Sequence, residues 1–363
     1  MQKKPSVLIA MSGGVDSSVA AALLHQQGYD CTGVFMCLGQ AADTPASHHG
    51  CCSPQDSADA RQVASSLGIK FAVLNFQQDL QGIIEYFVNE YSNARTPNPC
   101  ILCNSRLKFG KLMQYASLMD IDYVATGHYA KVEPFNGRPS LMRGLDNKKD
   151  QSYALFNLPK ENLPRILLPL GTYTKTQVRK IAADLKLPVH NKPESQEICF
   201  VADNNYANLV LKRAPQLSRP GPVVDVNGKK LGEHNGIFRF TIGQRRGLGI
   251  ALGEPAYVVK LDAANNTVVL GTGEQLRQRK LQADNVNWLV EPPDKPFKAA
   301  VQIRYNHRGA PATVTPIADD AGKVSRVIVD FDQPVTAITP GQAAVFYDND
   351  LVIGGGWIAN AEN

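Results

Sequence analysis

The chain has 363 residues, 44% of them hydrophobic and 20% charged, with 38 Lys and Arg against 33 Asp and Glu for a net charge of +5. This length favours two or three domains, and the mild basicity permits a polyanionic partner without requiring one. No apolar run approaches the roughly 18–20 residues of a membrane span, and Val7-Leu8-Ile9-Ala10-Met11 behind Lys3 and Lys4 is too short for a signal peptide, so a cytoplasmic protein with reduced thiols is expected.

In chain order, apolar β-branched runs at 7–12, 31–36, 70–76 and 123–128 alternate with helical patterns at about 17–27, 54–67, 79–92 and 105–119. Ser53 reads as an N-cap with Pro54 at the first helical position. Leu112, Tyr115, Ala116 and Met119 share one helical face. Strand–helix alternation of this kind predicts an α/β domain with a parallel sheet covered on both sides. A further helix is predicted at 174–185. After about residue 205 the chain becomes rich in Pro, Gly and short β-branched strands, at 222–226, 256–262, 267–271, 299–304, 312–317, 324–331 and 343–347. That texture predicts one or two small antiparallel modules, the last a barrel.

The first strand runs into Ser12-Gly13-Gly14-Val15-Asp16-Ser17-Ser18 and then a helix start. Glycines, hydroxyls and the positive helix end converge there on one spot, which suits a phosphate group. The loop lacks the lysine of a Walker-type sequence, which argues against γ-phosphate transfer and for pyrophosphate bound as a leaving group. The bland reading is a glycine turn with Ser17 or Ser18 as helix cap. The order S-G-G-x-D-S-S resembles the PP-loop ATP pyrophosphatases, which split ATP between the α and β phosphates and adenylate a carbonyl oxygen.

Seven cysteines is an odd number with no disulfide-scaffold spacing. Cys100 and Cys103 lie in 96-TPNPCILCNSRLKFGKL-112. A helix predicted to begin near Asn104–Ser105 would put Cys103 at its N-terminus, where the dipole, with Arg106 and Lys108 nearby, favours a nucleophilic thiolate. Half of a zinc site, completed by 48-HHGCC-52, and a redox dithiol are the competing readings; Cys51 and Cys52 read as packing or loop residues. Cys199, in 192-KPESQEICFVAD-203, reads by texture as a small buried strand residue, although the charged run before it points to a solvent-accessible segment.

SGGVDSS at 12–18, GVFM at 33–36, CCSPQDSADAR at 51–61, RTPNPCILCN at 95–104, ATGHYA at 125–130, KDQSYALF at 149–156, GTYTKTQVRKIA at 171–182, SQEICFV at 195–201 and FTIGQRRGLGI at 240–250 together resemble the tRNA-specific 2-thiouridylase family. The resemblance implies a PP-loop (adenine nucleotide α-hydrolase-like) domain over 1–205, a small central β-rich domain over 206–280 and a C-terminal antiparallel β-barrel over 281–363. It implies ATP as substrate, with magnesium, held by Ala10, Met11, Ser12, Gly13, Gly14, Val15, Asp16, Ser17 and Ser18, with Met36 and Gly127 near the adenosine. Cys199 would carry a persulfide and Cys103 would be its nucleophilic partner, closing a Cys103–Cys199 disulfide as sulfur reaches carbon 2 of the wobble uridine. In an alternative route Cys103 releases hydrogen sulfide, which then attacks.

Asn98, Pro99, Cys100 and His128 would meet the target base, and Lys149, Asp150, Gln151, Arg304, Tyr305 and Gln342 the rest of the tRNA. Many members carry aspartate where this chain has Cys100, a weaker base at neutral pH. The implied partners are tRNA and a protein persulfide donor, with no membrane and a monomeric chain. Read from the residues alone, Arg239, Arg245 and Arg246 in 237-IFRFTIGQRRGLGI-250 make an RNA-facing loop or a solvated basic turn. An argininosuccinate-type ligase and a non-catalytic RNA-binding protein are the alternative functions.

Overall fold

The computed structural model describes residues 4–39, 53–194, 198–201, 205–250 and 255–362. The 48-HHGCC-52 cluster therefore lies outside the described residues. The chain forms two compact units, one of residues 1–83, 100–204 and 350–352, the other of residues 84–99, 205–349 and 353–363.

The first unit is built on β1 (Ser6–Ala10), α1 (Val15–Gln26), β2 (Asp30–Cys37), α2 (Pro54–Leu67), β3 (Lys70–Asn75) and the start of α3 (Gln77–Ser92). A helical run follows from α4 (Pro99–Leu102) through a π-helical stretch (Cys103–Lys111) to α5 (Leu112–Leu118). β4 (Tyr123–Ala125), a hairpin of β5 (Ala130–Phe135) and β6 (Arg138–Arg143), β7 (Ile166–Leu167) and α6 (Lys175–Asp184) complete it. The sheet order is β3-β2-β1-β4-β7 with every pair parallel. Val7, Leu8 and Ile9 of β1 are fully buried, as a central parallel strand covered on both faces requires. α1 packs between two apolar clusters: Ala21 and Leu24 join Val7, Ile9 and Phe35, while Val19 and Ala20 join Val178 and Ala182 of α6.

Three local expectations are corrected. The helix predicted to start near Asn104 starts at Pro99, because a proline at the first helical position has no donor to lose. Cys103 is thus one turn inside a helical run. The run expected to continue as strand to residue 128 leaves the sheet after Ala125, and the β5–β6 hairpin has no counterpart in the sequence reading. Cys199 sits in a turn and is half-buried, not in a strand.

The second unit holds α7 (Tyr206–Arg213) and two sheets. The smaller contains β8 (Gly221–Asp225), β9 (Lys230–His234), β10 (Tyr257–Asp262) and β11 (Thr267–Gly271), in the order β10-β11-β8-β9. Its β8–β11 pair is parallel, where antiparallel pairing alone was expected. β12 (Arg277–Trp288), β13 (Phe297–Gln302), β14 (Ala310–Ala318), β15 (Val324–Thr336), β16 (Ala343–Asp348) and β17 (Leu351–Glu362) form the C-terminal barrel, closed by pairing of β12 with both β15 and β17. On β15, Val327, Val329 and Phe331 point inward at period two.

Candidate active site

In a parallel sheet, ligands bind beyond the carboxyl ends of the strands where the strand order reverses. Here β1 lies between β2 and β4, so the reversal falls at the end of β1. The residues that follow are Met11 to Ser18, and those that follow the neighbouring β4 are Thr126, Gly127 and His128.

The loop is held open by its own side chains. Ser17 Oγ accepts from the Ser12 amide at 3.1 Å and donates to the Gly14 carbonyl at 3.1 Å, and Ser18 Oγ donates to the same carbonyl at 2.8 Å. The helix-capping position is Gly14, with no side-chain cap bond. The first amides of α1 are therefore presented without a side-chain acceptor, as an anion site needs. Gly13 has φ +71°, and a Cβ there would lie 2.3 Å from the Asp56 carbonyl oxygen. Gly127 packs against the same loop, where a Cβ would sit 2.8 Å from the Ser17 nitrogen. Met11 is buried against Gly33, and Met36 is half-buried near the end of β2.

Three charged partners that the sequence reading missed surround this loop. Lys175 Nζ lies 2.7 Å from both carboxylate oxygens of Asp16, and the Tyr129 hydroxyl donates to Asp16 at 2.8 Å. Lys175 occupies the first position of α6, where a cation opposes the helix dipole. A capping box between Thr174 and Gln177 fixes that terminus, and Asp16 supplies the compensating charge. Lys192 Nζ donates to the Gly13 carbonyl at 3.0 Å, to Asp56 at 2.6 Å and to Asp59 at 2.5 Å. Burial works against its charge, but the bonds to Asp56 and Asp59 win and raise its pKa. Glu194 pairs with Lys149 at 2.6 Å and Lys175 at 3.1 Å, and these cations outweigh burial and hold its carboxyl below the usual range. The available signals were a lysine beside a T-x-x-Q box and the acids Asp56 and Asp59 after Ser53, both inside segments already singled out.

The thiols differ in setting. Cys100 is exposed, whereas Cys103 is half-buried at the start of the π-helical stretch. That stretch leaves backbone groups displaced from α-helical pairing, and side chains capture some of the local acceptors. Asn162 Nδ2 donates to the Phe109 carbonyl at 2.9 Å, and Asn157 Nδ2 to Ser105 Oγ at 3.2 Å. Asn104 beside Cys103 donates to the Ala154 carbonyl at 3.0 Å. His128 is 8% exposed, and its Nδ1 lies 2.6 Å from Thr126 Oγ1. Burial, aided by the Lys108 charge, pushes its pKa well down, so the ring is neutral at pH 7.

The remaining expected residues separate. Asp150 accepts from the Gly144 amide, the Ser152 hydroxyl and Arg143, at 2.9, 2.8 and 3.0 Å, and Gln151 accepts from the Tyr129 amide at 2.9 Å. Asn98, Pro99, Arg304, Tyr305 and Gln342 belong to the second unit. There Gln342 Nε2 donates to the Thr96 carbonyl at 2.9 Å, Thr96 Oγ1 lies 3.4 Å from Thr241 Oγ1, and Arg304 donates to the Thr336 carbonyl at 2.9 Å. Tyr305 is exposed. Among the described residues no cluster of three or more His, Cys, Asp or Glu could hold a metal ion, and no helix is long and apolar enough to cross a membrane.

Fold and loop together define a nucleotide-binding α/β domain of HUP type joined to two β modules. Family models agree in segments: a tRNA methyl transferase HUP domain over residues 5–203, a tRNA methyl transferase PRC-barrel domain over 208–272 and an aminomethyltransferase beta-barrel domain over 278–358. The chain is 48% identical over 362 residues to the tRNA-specific 2-thiouridylase MnmA of Clostridioides difficile, covering 99% of this chain and 98% of that one. It is 48% identical over 356 residues to the protein of the same name from Halothermothrix orenii, covering 97% and 98%, and 45% identical over 387 residues to that of Rhodopirellula baltica, covering 98% and 96%. The chain belongs to the tRNA-specific 2-thiouridylase family.

Proposed function

We propose that this chain is an ATP-dependent tRNA-uridine 2-sulfurtransferase. The observation that carries the reading is a pyrophosphate-type loop at the sheet's switch point in the same unit as Cys103 and Cys199. The names of its relatives supply the substrate class. In this reading residues 10–18 bind ATP, with Met36 and Gly127 beside the adenosine and Lys175 meeting the phosphates. Magnesium would arrive with the triphosphate: a single carboxylate, Asp16, suits an ion that keeps phosphate and water oxygens as its other ligands. It would neutralise charge on the departing pyrophosphate.

Uracil's carbon 2 is a poor electrophile because its oxygen is a poor leaving group. Attack of that oxygen on the α-phosphate releases pyrophosphate and leaves AMP on carbon 2. The terminal sulfur of a Cys199 persulfide then displaces AMP. The Cys103 thiolate next attacks the Cys199 sulfur, so the thiocarbonyl departs and a Cys103–Cys199 disulfide forms. A dithiol reductant resets the pair. Neutral His128, with Asn98, Pro99 and Cys100, would face the base. Lys149, Asp150, Gln151, Arg304, Tyr305 and Gln342 would line or shape the tRNA site, though Asp150 and Gln342 act on the protein backbone as they stand. We assign the catalytic domain to residues 1–205, the central domain to 206–280 and the barrel to 281–363. A persulfide-carrying protein as donor, a monomeric state and a cytoplasmic location complete the proposal.

The test incubates the protein with ATP, tRNA and a protein persulfide, and quantifies 2-thiouridine and AMP. Equal amounts of both are expected, with Cys199→Ala and Cys103→Ala abolishing the thionucleoside. An argininosuccinate-type ligase would instead release AMP with an amine acceptor and tolerate both substitutions. No thiolated nucleoside from the intact protein would overturn the proposal.

A further inference from the structure

Lys192 stands beside the nucleotide loop, and the proposed chemistry gives it no task. Its Nζ donates to the Gly13 carbonyl at 3.0 Å, to Asp56 Oδ1 at 2.6 Å and to Asp59 Oδ2 at 2.5 Å. An ammonium has three protons, and here each has an acceptor. Lys192 is therefore fitted to act on the loop's backbone and not on a phosphate directly. Its acidic partners are themselves fixed. Asp56 Oδ2 accepts from Ser53 Oγ at 2.7 Å, the Asp56 amide donates to that hydroxyl oxygen at 3.0 Å, and Asp59 Oδ1 accepts from Gln55 Nε2 at 2.7 Å.

The peptide held in this way joins Gly13 to Gly14. With a glycine on each side, it meets little steric opposition to turning over. The Gly13 Cα is pinned, because a Cβ there would lie 2.3 Å from the Asp56 carbonyl oxygen. The peptide plane beyond that Cα is not pinned by the same contact. The peptide is trans, so its carbonyl and amide leave on opposite edges. While the carbonyl is bound to Lys192, the Gly14 amide points the other way. Turned over, the peptide would offer an oxygen where an anion needs a proton donor.

We infer that Lys192 is a positioning residue for the nucleotide: it locks the Gly13–Gly14 peptide so that the Gly14 amide donates to the pyrophosphate part of ATP. The inference rests on the proposed ATP site, and its test separates the two. A charged donor holds a carbonyl more firmly than a neutral one, and Asp56 and Asp59 set where that donor stands. Charge compensation is the competing role. Lys192 offsets one of the two acids beside the loop, and its removal would leave both to repel phosphate.

The experiment measures binding of ATP, pyrophosphate and AMP by calorimetry to the full-length protein, to Lys192→Met and to the double variant Lys192→Met with Asp59→Asn. The double variant loses one charge of each sign, so the net charge beside the loop is kept while the Gly13 carbonyl goes unheld. Both variants should lower the ratio of ATP to AMP affinity by about 10–100-fold, the loss expected for a hydrogen bond to a charged group. Pyrophosphate binding should weaken in step. Recovery of ATP affinity in the double variant would make Lys192 a counter-charge only and overturn the inference. A ratio within about threefold of the unmodified chain also overturns it, whether the two affinities are kept or fall together, and leaves the sulfurtransferase reading intact. Absence of ATP binding to the unmodified chain overturns both. If Lys192→Met does not fold, the double variant, which adds no uncompensated charge, decides.

Discussion

At the scale of single residues, the loop's chemistry depends on partners distant in sequence. Lys175 reaches Asp16 across 159 positions and Lys192 reaches Gly13 across 179. They supply the positive charge that the loop itself lacks. Lys175→Gln should lower the rate of AMP formation by about 10²–10³ through lost stabilisation of developing phosphate charge. ATP-dependent AMP release in the presence of tRNA checks it, and a change below about threefold would remove Lys175 from the phosphate site. His128 makes a second prediction. Its folded pKa is depressed below the ordinary 6.5, so the unfolded chain binds the proton first. Its contribution is present above pH 6.5 and is lost as pH falls below that value. His128→Gln should flatten the fall in melting temperature between about pH 6.5 and 5. Some slope will remain, because burial also lowers His234, and burial with the Arg304 charge lowers His307 to about 4.

At the scale of elements, the helical run from Pro99 to Leu118 decides where the thiols stand. Its middle is π-helical, and the Leu112 amide donates to the Leu107 carbonyl five residues back. Gly110 permits this: a Cβ there would lie 2.8 Å from the Ser105 carbonyl oxygen. Gly110→Ala should therefore destabilise the protein by about 1–3 kcal/mol in urea unfolding. Gly82 in α3 is the control, because a Cβ there meets nothing within 4 Å. Gly82→Ala should stabilise by about 0.4–1 kcal/mol. Equal effects of the two substitutions would show that the π-helical geometry does not constrain this run. A helix start near Asn104–Ser105, as expected from the sequence, would leave Pro97 and Pro99 both in the approach to Cys103. Pro97 does precede the helix, but Pro99 opens it. Helix-dipole activation of Cys103 is weakened accordingly, since that effect fades within the first turn.

At the scale of the whole molecule, the second unit carries the motif that the chemistry leaves unused. Arg245 and Arg246 are exposed and make no ion pair among the described residues, in a loop with positive φ at Gly243, Gly247 and Gly249. The same loop reaches Thr96 through Thr241, two residues before Asn98. Replacing both arginines by alanine should weaken tRNA binding and reduce the slope of log affinity against log salt by about 0.7–0.9 for each phosphate no longer neutralised. An unchanged slope would make the loop a solvated turn. The parallel-sheet domain and the closing barrel were legible from strand–helix alternation and from alternating apolar residues, because both patterns are local and repeat. The S-G-G-x-D-S-S loop was legible for the same reason: strand, turn and helix start are consecutive. Only the tertiary structure brought Lys175, Lys192 and Glu194 to that loop, because charge pairing acts through space and leaves no periodic trace in the chain. The sequence by itself determined a strand, glycine loop and helix start suited to a phosphate, and the presence of the thiols. The fold decided which charges stand beside that loop: Lys175 on Asp16, Lys192 on the Gly13 carbonyl and Glu194 on Lys175.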